Sequence, residues 1–222
     1  MKTIAVKTGK ISAWITALSF FIWILAFILI AVSSPLFYWS GLEDYIQFHG
    51  ESSQFPAYLA KGFMLLFALS YPVLLLSLQE SLSGDRFYCR IGWAFALLFS
   101  LSTSLHYFVQ ISAMRFAMEA GTYEGLEHFL QANPTSFLSS VNMLGWTLML
   151  GISSLFMWAA FRGRKKGRIL KNAFLLCGIS CLLAAVGYLA QYDPLTFVCI
   201  NIGSGGALMA ISLSSIRYFN YL

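Results

Sequence analysis

Seven side chains in this sequence have types and positions suited to chemistry inside a membrane: Lys61, His106, Tyr107, Gln110, Glu124, Asn142 and Asn201. His106 is the only histidine within a long apolar run. Its charge changes near neutral pH, so it could bind a ligand or relay a proton. Ser100, Thr103, His106, Tyr107 and Gln110 recur at spacings of three and four, which on a helix makes one polar stripe. Lys61, His106, Asn142 and Asn201 each lie roughly 8–14 Å inside their own apolar run, measured from the same side of the membrane at 1.5 Å per residue. Four segments thus set polar groups at one depth. If they converge, they form an outward-facing pocket for a small amphipathic or lipid-like ligand. Tyr107 and Glu124 are secondary candidates for that pocket.

Each residue also has a plainer role. Asn142 and Asn201 could hydrogen-bond neighbouring helices as packing contacts. Lys61 could run its ammonium along its own stem to the interface. His106 could be a neutral, satisfied histidine beside Gln110 or a hydroxyl. An enzyme acting on a lipid, with His106 as acid or base, is the competing functional reading. Its case is weaker: no membrane span holds an acidic residue, and the chain has no HExxH, GxSxG or glycine-rich phosphate loop. The nearest acids would be loop residues such as Glu124 or Glu127. His49, His106 and His128 are too scattered to argue for a metal, and nothing calls for a cofactor.

The elements that must position these residues follow from composition. Of 222 residues, 59% are hydrophobic and only 10% charged, whereas a soluble domain is about a quarter charged. The fold class is all-α: one polytopic bundle spanning the whole chain, with six transmembrane helices at about 11–34, 56–79, 91–114, 137–161, 169–190 and 195–218. The run at 91–114 carries the polar stripe, so it should face other helices, not lipid. The first run is longer than a signal-peptide core and reads as a span, although Ala31-Val32-Ser33 could pass as a cleavage site. Pro56 suits a helix start, and Tyr71-Pro72 predicts a kink. Leu42, Tyr45, Ile46 and His49 predict a short interfacial helix on the outer side. Leu126, Phe129 and Leu130 predict a second, with Glu124, Glu127 and Gln131 opposite. A cap at Thr135 or Ser136 opens the fourth span.

Charge sets the orientation. Six spans put both termini on one side, and that side receives 12 of the 14 lysines and arginines, all but Lys61 and Arg115. Seven of the nine acids fall opposite. By the positive-inside rule both termini are cytoplasmic, in a cell membrane. The net charge of +5 sits beside spans and is no nucleic-acid signal. Expected partners are membrane lipids, including anionic headgroups at the Arg162–Arg168 run, and a second copy or partner subunit. Cys177, Gly178, Cys181, Ala184 and Ala185 on the fifth span, and the Gly203–Ala207 patch on the sixth, predict close antiparallel packing. The four cysteines read as buried small apolar groups, with Cys89 in a turn.

Over His106–Gly145, Tyr107-Phe108-Val109-Gln110, then Glu124-Gly125-Leu126 with Phe129, then Asn133-Pro134 and Gly145, the chain resembles small six-span bacterial membrane proteins of uncharacterised function. The resemblance implies the six-span layout and a bacterial inner-membrane setting. That group often carries Asn where this chain has His106, which implies a hydrogen-bonding role at that position.

Overall fold

Long uncharged runs become helices because hydrocarbon offers no water to backbone N–H and C=O groups, so each must pair within its own segment. The computed structural model describes residues 2–33, 37–82, 86–164 and 167–222. Six of its helical stretches are long and apolar enough to cross a membrane: Thr3–Val32, Phe55–Ser81, Phe87–Ala120, Phe137–Ala160, Arg168–Leu189 and Asp193–Asn220. No strand forms among the described residues.

The helices are α1 (Lys2–Ser33), α2 (Leu42–Glu51), α3 (Phe55–Ser81), α4 (Phe87–Ile111) and α5 (Ala113–Ala120), followed by α6 (Phe137–Leu144), α7 (Leu150–Ala160), α8 (Arg168–Leu189), α9 (Asp193–Phe197) and α10 (Gly205–Asn220). Two crossings contain π-helical turns. Gly145–Met149 joins α6 to α7, and Val198–Ser204 joins α9 to α10. The expected spans are all present, with shifted ends. α1 is already helical at Lys2, and α4 starts at Phe87, which places Cys89 inside a helix, fully buried. α3 continues through Pro72, whose carbonyl accepts a hydrogen bond from Trp93 Nε1 at 3.1 Å. Ser83-Gly84-Asp85, which the sequence reads as a short turn, and Lys165-Lys166 lie outside the described residues.

The core is a stack of large rings between α1, α3, α4 and the first π turn. Phe67 lies parallel to Trp146 at 6.0 Å and to Tyr71 at 5.9 Å, and Phe99 meets Trp146 edge-on at 5.2 Å. Phe20 joins from α1, where Thr16 and Ser70 hydroxyls also meet at 3.0 Å. Small residues set the spacing elsewhere. Gly203 sits against Ser180, and Cys181 Sγ meets Ser204 Oγ at 3.1 Å, so α8 and the sixth crossing pack closely as expected. The small patches also serve other neighbours: Gly178 faces Leu155 on α7 and Gly205 faces Phe20 on α1. All four cysteines are free and buried.

One end of the bundle gathers Lys7, Lys10, Arg86, Arg90, Arg162, Arg164, Arg168, Lys171 and Arg217; the other gathers Glu43, Asp44, Glu51, Glu119, Glu124, Glu127 and Asp193. At this acidic end α2 forms as expected, and its half-buried face packs on Met114, Leu126 and Leu130. The second expected interfacial helix does not form. Gly121 and Gly125 both take positive φ (69° and 75°), which ends α5 and leaves only a 3₁₀ turn at Leu126–His128. Leu126 and Leu130 are buried there, but Phe129 is 45% exposed. Asn133 then folds the loop back through Nδ2 to the Glu127 carbonyl at 2.7 Å, and Ser136 caps α6 by accepting from Ser139 N–H at 3.1 Å.

A Cβ on Gly178 would fall 2.6 Å from Leu155 Cδ2 and 3.2 Å from the Gly151 carbonyl, whereas one on Gly206 would meet open space. Gly178→Ala is therefore expected to destabilise the protein by about 1–3 kcal/mol, as overpacked cores do, and Gly206→Ala is expected not to. Thermal unfolding in detergent would show the difference.

Candidate functional site

The polar stripe of α4 faces inward along its whole length. Ser100, Thr103, His106, Tyr107 and Gln110 are all buried, with Thr103 and His106 at 0% exposure. Inside a bundle such groups must find protein partners. His106 Nδ1 lies 3.1 Å from the Leu138 carbonyl on α6. A carbonyl only accepts, so Nδ1 carries the proton of this bond. The other ring nitrogen, Nε2, is buried and has no hydrogen-bond partner among the described residues. Gln110 donates to the Phe129 carbonyl, which ties α4 to the loop of the acidic end. Both residues therefore brace the fold.

Beside this seam, in the half of the bundle nearer the acidic end, lies a cavity of about 450 Å³. That volume lies within the range usual for small-molecule sites. α1 supplies Phe20, Trp23, Phe27 and Ile30; α3 supplies Ala57, Ala60 and Lys61. Tyr107 comes from α4, Asn142, Met143 and Trp146 from the fourth crossing, and Phe197, Ile200 and Asn201 from the sixth. Gln131 reaches in from the folded-back loop. Four predicted residues (Lys61, Tyr107, Asn142 and Asn201) are thus brought together. His106 and Gln110 are near but do not line the cavity, and Glu124 is exposed on the loop surface away from it.

The polar lining is under-satisfied. Lys61 forms no hydrogen bond or ion pair among the described residues; its Nζ lies 5.5 Å from the Tyr58 ring centre, a long cation–π contact. Asn142 Oδ1 is buried with no partner among the described residues. Asn201 Nδ2 donates to the Phe197 carbonyl one turn back at 3.0 Å, which leaves its Oδ1 as an acceptor. The Tyr107 hydroxyl stands beside Trp146 and Asn142. The walls around these groups are aromatic and aliphatic. Phe27 and Phe197, which are 39% and 53% exposed, frame a mouth between α1 and α9.

Composition could not single out the ring-lined wall, because Phe20, Trp23 and Trp146 have the types of ordinary core residues. Gln131 was assigned to the polar face of a helix that does not form. The second π turn has a faint signal in the Gly203–Ala207 patch, which the sequence reads as packing. Asn142 precedes the first π turn by three residues, and Asn201 lies within the second. Such turns are frequent at functional sites.

Lys61 also borders a crevice toward the acidic end, lined by Tyr45, His49, Tyr58, Gln110 and Arg115, with room for about one water. Here His49 Nε2 and Tyr58 Oη lie 3.3 Å apart. Burial, with the Tyr58 hydroxyl adding to it, pushes the Tyr45 phenol up to about 12. Burial, reinforced by Lys61 and opposed by Glu119, holds His49 below its ordinary 6.5. Among the described residues no three His, Cys, Asp or Glu side chains gather as a metal site would require.

Because the docked His49 resists protonation, release of α2 takes up a proton as pH falls below 6.5. The α2 contribution to stability is complete above that value and is lost progressively below it. Acidifying from neutral to about pH 5 should lower the melting temperature of wild type more than that of His49→Gln.

Comparison with protein-family models, with curated proteins and with solved structures finds no match for this chain. The chemistry of these residues is the ground on which a function can be assigned.

Proposed function

We propose that this protein binds a single-chain amphiphile with an anionic headgroup, serving as a carrier, sensor or accessory subunit in a membrane. The observation that carries this reading is the Lys61 ammonium, which borders an apolar-walled cavity with no counter-ion among the described residues. An ammonium without a partner in a low-dielectric site is costly. A carboxylate or phosphate from a ligand supplies the missing charge. Asn142 and Asn201, with Tyr107 and Gln131, add donors and acceptors for headgroup oxygens. Phe20, Trp23 and Trp146 accept the chain, and the mouth beside Phe27 and Phe197 lets a tail extend toward lipid.

The alternative, a lipid enzyme using His106, required a second ionisable group within hydrogen-bond reach. The His106 ring is held by a backbone carbonyl and lies outside the cavity lining, which favours the binding reading. The subunit reading required a small-residue face left free. Gly178, Gly203 and Gly205 are each packed within the chain, while Gly206 of the same patch faces open space, so that reading keeps one small exposed residue on the sixth span.

The setting we propose is a plasma or bacterial inner membrane, with the basic end and both termini in the cytoplasm. The charge asymmetry of the two ends supports this. Reporters of cytoplasmic and exterior location, fused in turn to the C-terminus, are expected to give signal only from the cytoplasmic one. The reverse pattern would place Lys61 in the opposite leaflet.

Native mass spectrometry of the purified protein, with identification of what it retains, tests the binding. Wild type is expected to carry an anionic amphiphile. Lys61→Met should reduce retention roughly tenfold or more, the size of one lost charge-assisted contact. His106→Leu should lower thermal stability by about 1 kcal/mol while leaving retention largely intact. Equal loss of ligand in both variants, or no specific ligand in wild type, would refute the assignment.

A further inference from the structure

The basic end of the bundle holds a second concave site, unconnected to the cavity beside Lys61. It is a groove of about 400 Å³ between the start of α8 and the end of α10. Its rim carries two guanidinium groups from different helices, Arg168 and Arg217. Neither forms an ion pair or hydrogen bond among the described residues. By contrast, Arg162 lies over the Trp158 ring at 5.2 Å, and Arg164 donates to the Ala160 carbonyl at 3.2 Å. Arg86 pairs with Glu80 at 2.8 Å. Two unpaired positive charges therefore converge on one groove.

The floor has a polar feature of its own. Tyr218 is 8% exposed, is wedged edge-on against Phe161 at 5.7 Å, and lines the groove. Its hydroxyl makes no hydrogen bond among the described residues and is not among the buried atoms. Gly167, at φ 87°, brings the chain into α8 close over Phe161 and Tyr218, and no side chain caps the N–H groups that follow. Beyond this polar rim the groove becomes apolar. Ile169 is 60% exposed and Leu170 forms the base, while Tyr221, 67% exposed, lies on the α10 side.

We infer that this groove is a site for an anionic phospholipid. The phosphate sits between Arg168 and Arg217 with the Tyr218 hydroxyl donating to it, and the acyl chains run along Ile169 toward the hydrocarbon. Charge complementarity selects the occupant: paired guanidiniums match phosphate oxygens in fixed geometry, and basic pockets between membrane helices hold anionic headgroups. The position at the end of two spans places the phosphate at headgroup depth. The site is separate from the Lys61 cavity in residues, in end of the bundle and in ligand shape.

The test uses full-length protein in micelles with added phosphatidylglycerol, read by native mass spectrometry, with phosphatidylcholine as the zwitterionic control. Wild type should bind phosphatidylglycerol in preference. The double variant R168Q/R217Q should lose roughly twenty-five-fold in affinity, from two charges worth about a factor of five each. Y218F, which removes one hydroxyl and no charge, should lose severalfold. R90Q/R162Q removes the same net charge at the same end but outside the groove, and should bind as wild type does. Equal losses in the two double variants would reduce the effect to general surface charge and overturn the site. So would equal binding of phosphatidylcholine, or displacement of the lipid by millimolar inorganic phosphate.

Discussion

Polar groups in hydrocarbon must be answered by protein, and the α4 seam is where this molecule meets that demand. Backbone carbonyls do most of the answering. His106 reaches the Leu138 carbonyl on α6, Gln110 reaches the Phe129 carbonyl in the acidic-end loop, and Trp93 on α4 reaches the Pro72 carbonyl on α3. From α7, Ser153 donates to the Gly92 carbonyl of α4 at 2.7 Å. Four segments are thus laced to one helix. The ring stack of Phe67, Tyr71, Phe99 and Trp146 fills the space these bonds define.

Unpartnered buried polar atoms are spread through the described residues, Tyr71 Oη, Thr103 Oγ1, His106 Nε2 and Ser154 Oγ among them. Asn142 Oδ1 is the one that borders the cavity, where the Lys61 ammonium also makes no hydrogen bond or ion pair among the described residues. Two crossings pass this region as π turns in place of α-helix. A π turn shifts the facing of the side chains around it, and Asn142 and Asn201 sit at or beside these turns with their side chains in the lining.

Much of this was legible in the sequence, for reasons that can be named. The spacing of Ser100, Thr103, His106, Tyr107 and Gln110 gave the buried seam, because helical periodicity and the cost of polar groups in lipid both point inward. Shared depth brought together Lys61, Asn142 and Asn201, since depth in a span is simply residue count times rise. Depth says nothing of rotation about the helix axis, so His106 shared the layer yet turned toward α6. Glu124 was placed with the site by a loop helix that Gly121 and Gly125 prevent. Gln131 was lost by the same error. The aromatic wall was silent because ligand-facing and core-facing rings have the same composition.

The account stands on Lys61 holding the headgroup of a bound amphiphile. The most direct measurement is an experimental structure of the protein purified from a native membrane, with attention to density between Lys61, Asn142 and Asn201. The account predicts elongated density, its compact end against the Lys61 ammonium and its tail leaving between Phe27 and Phe197. A cavity holding only water, or one closed by collapsed side chains with Lys61 turned toward the acidic-end surface, would contradict it.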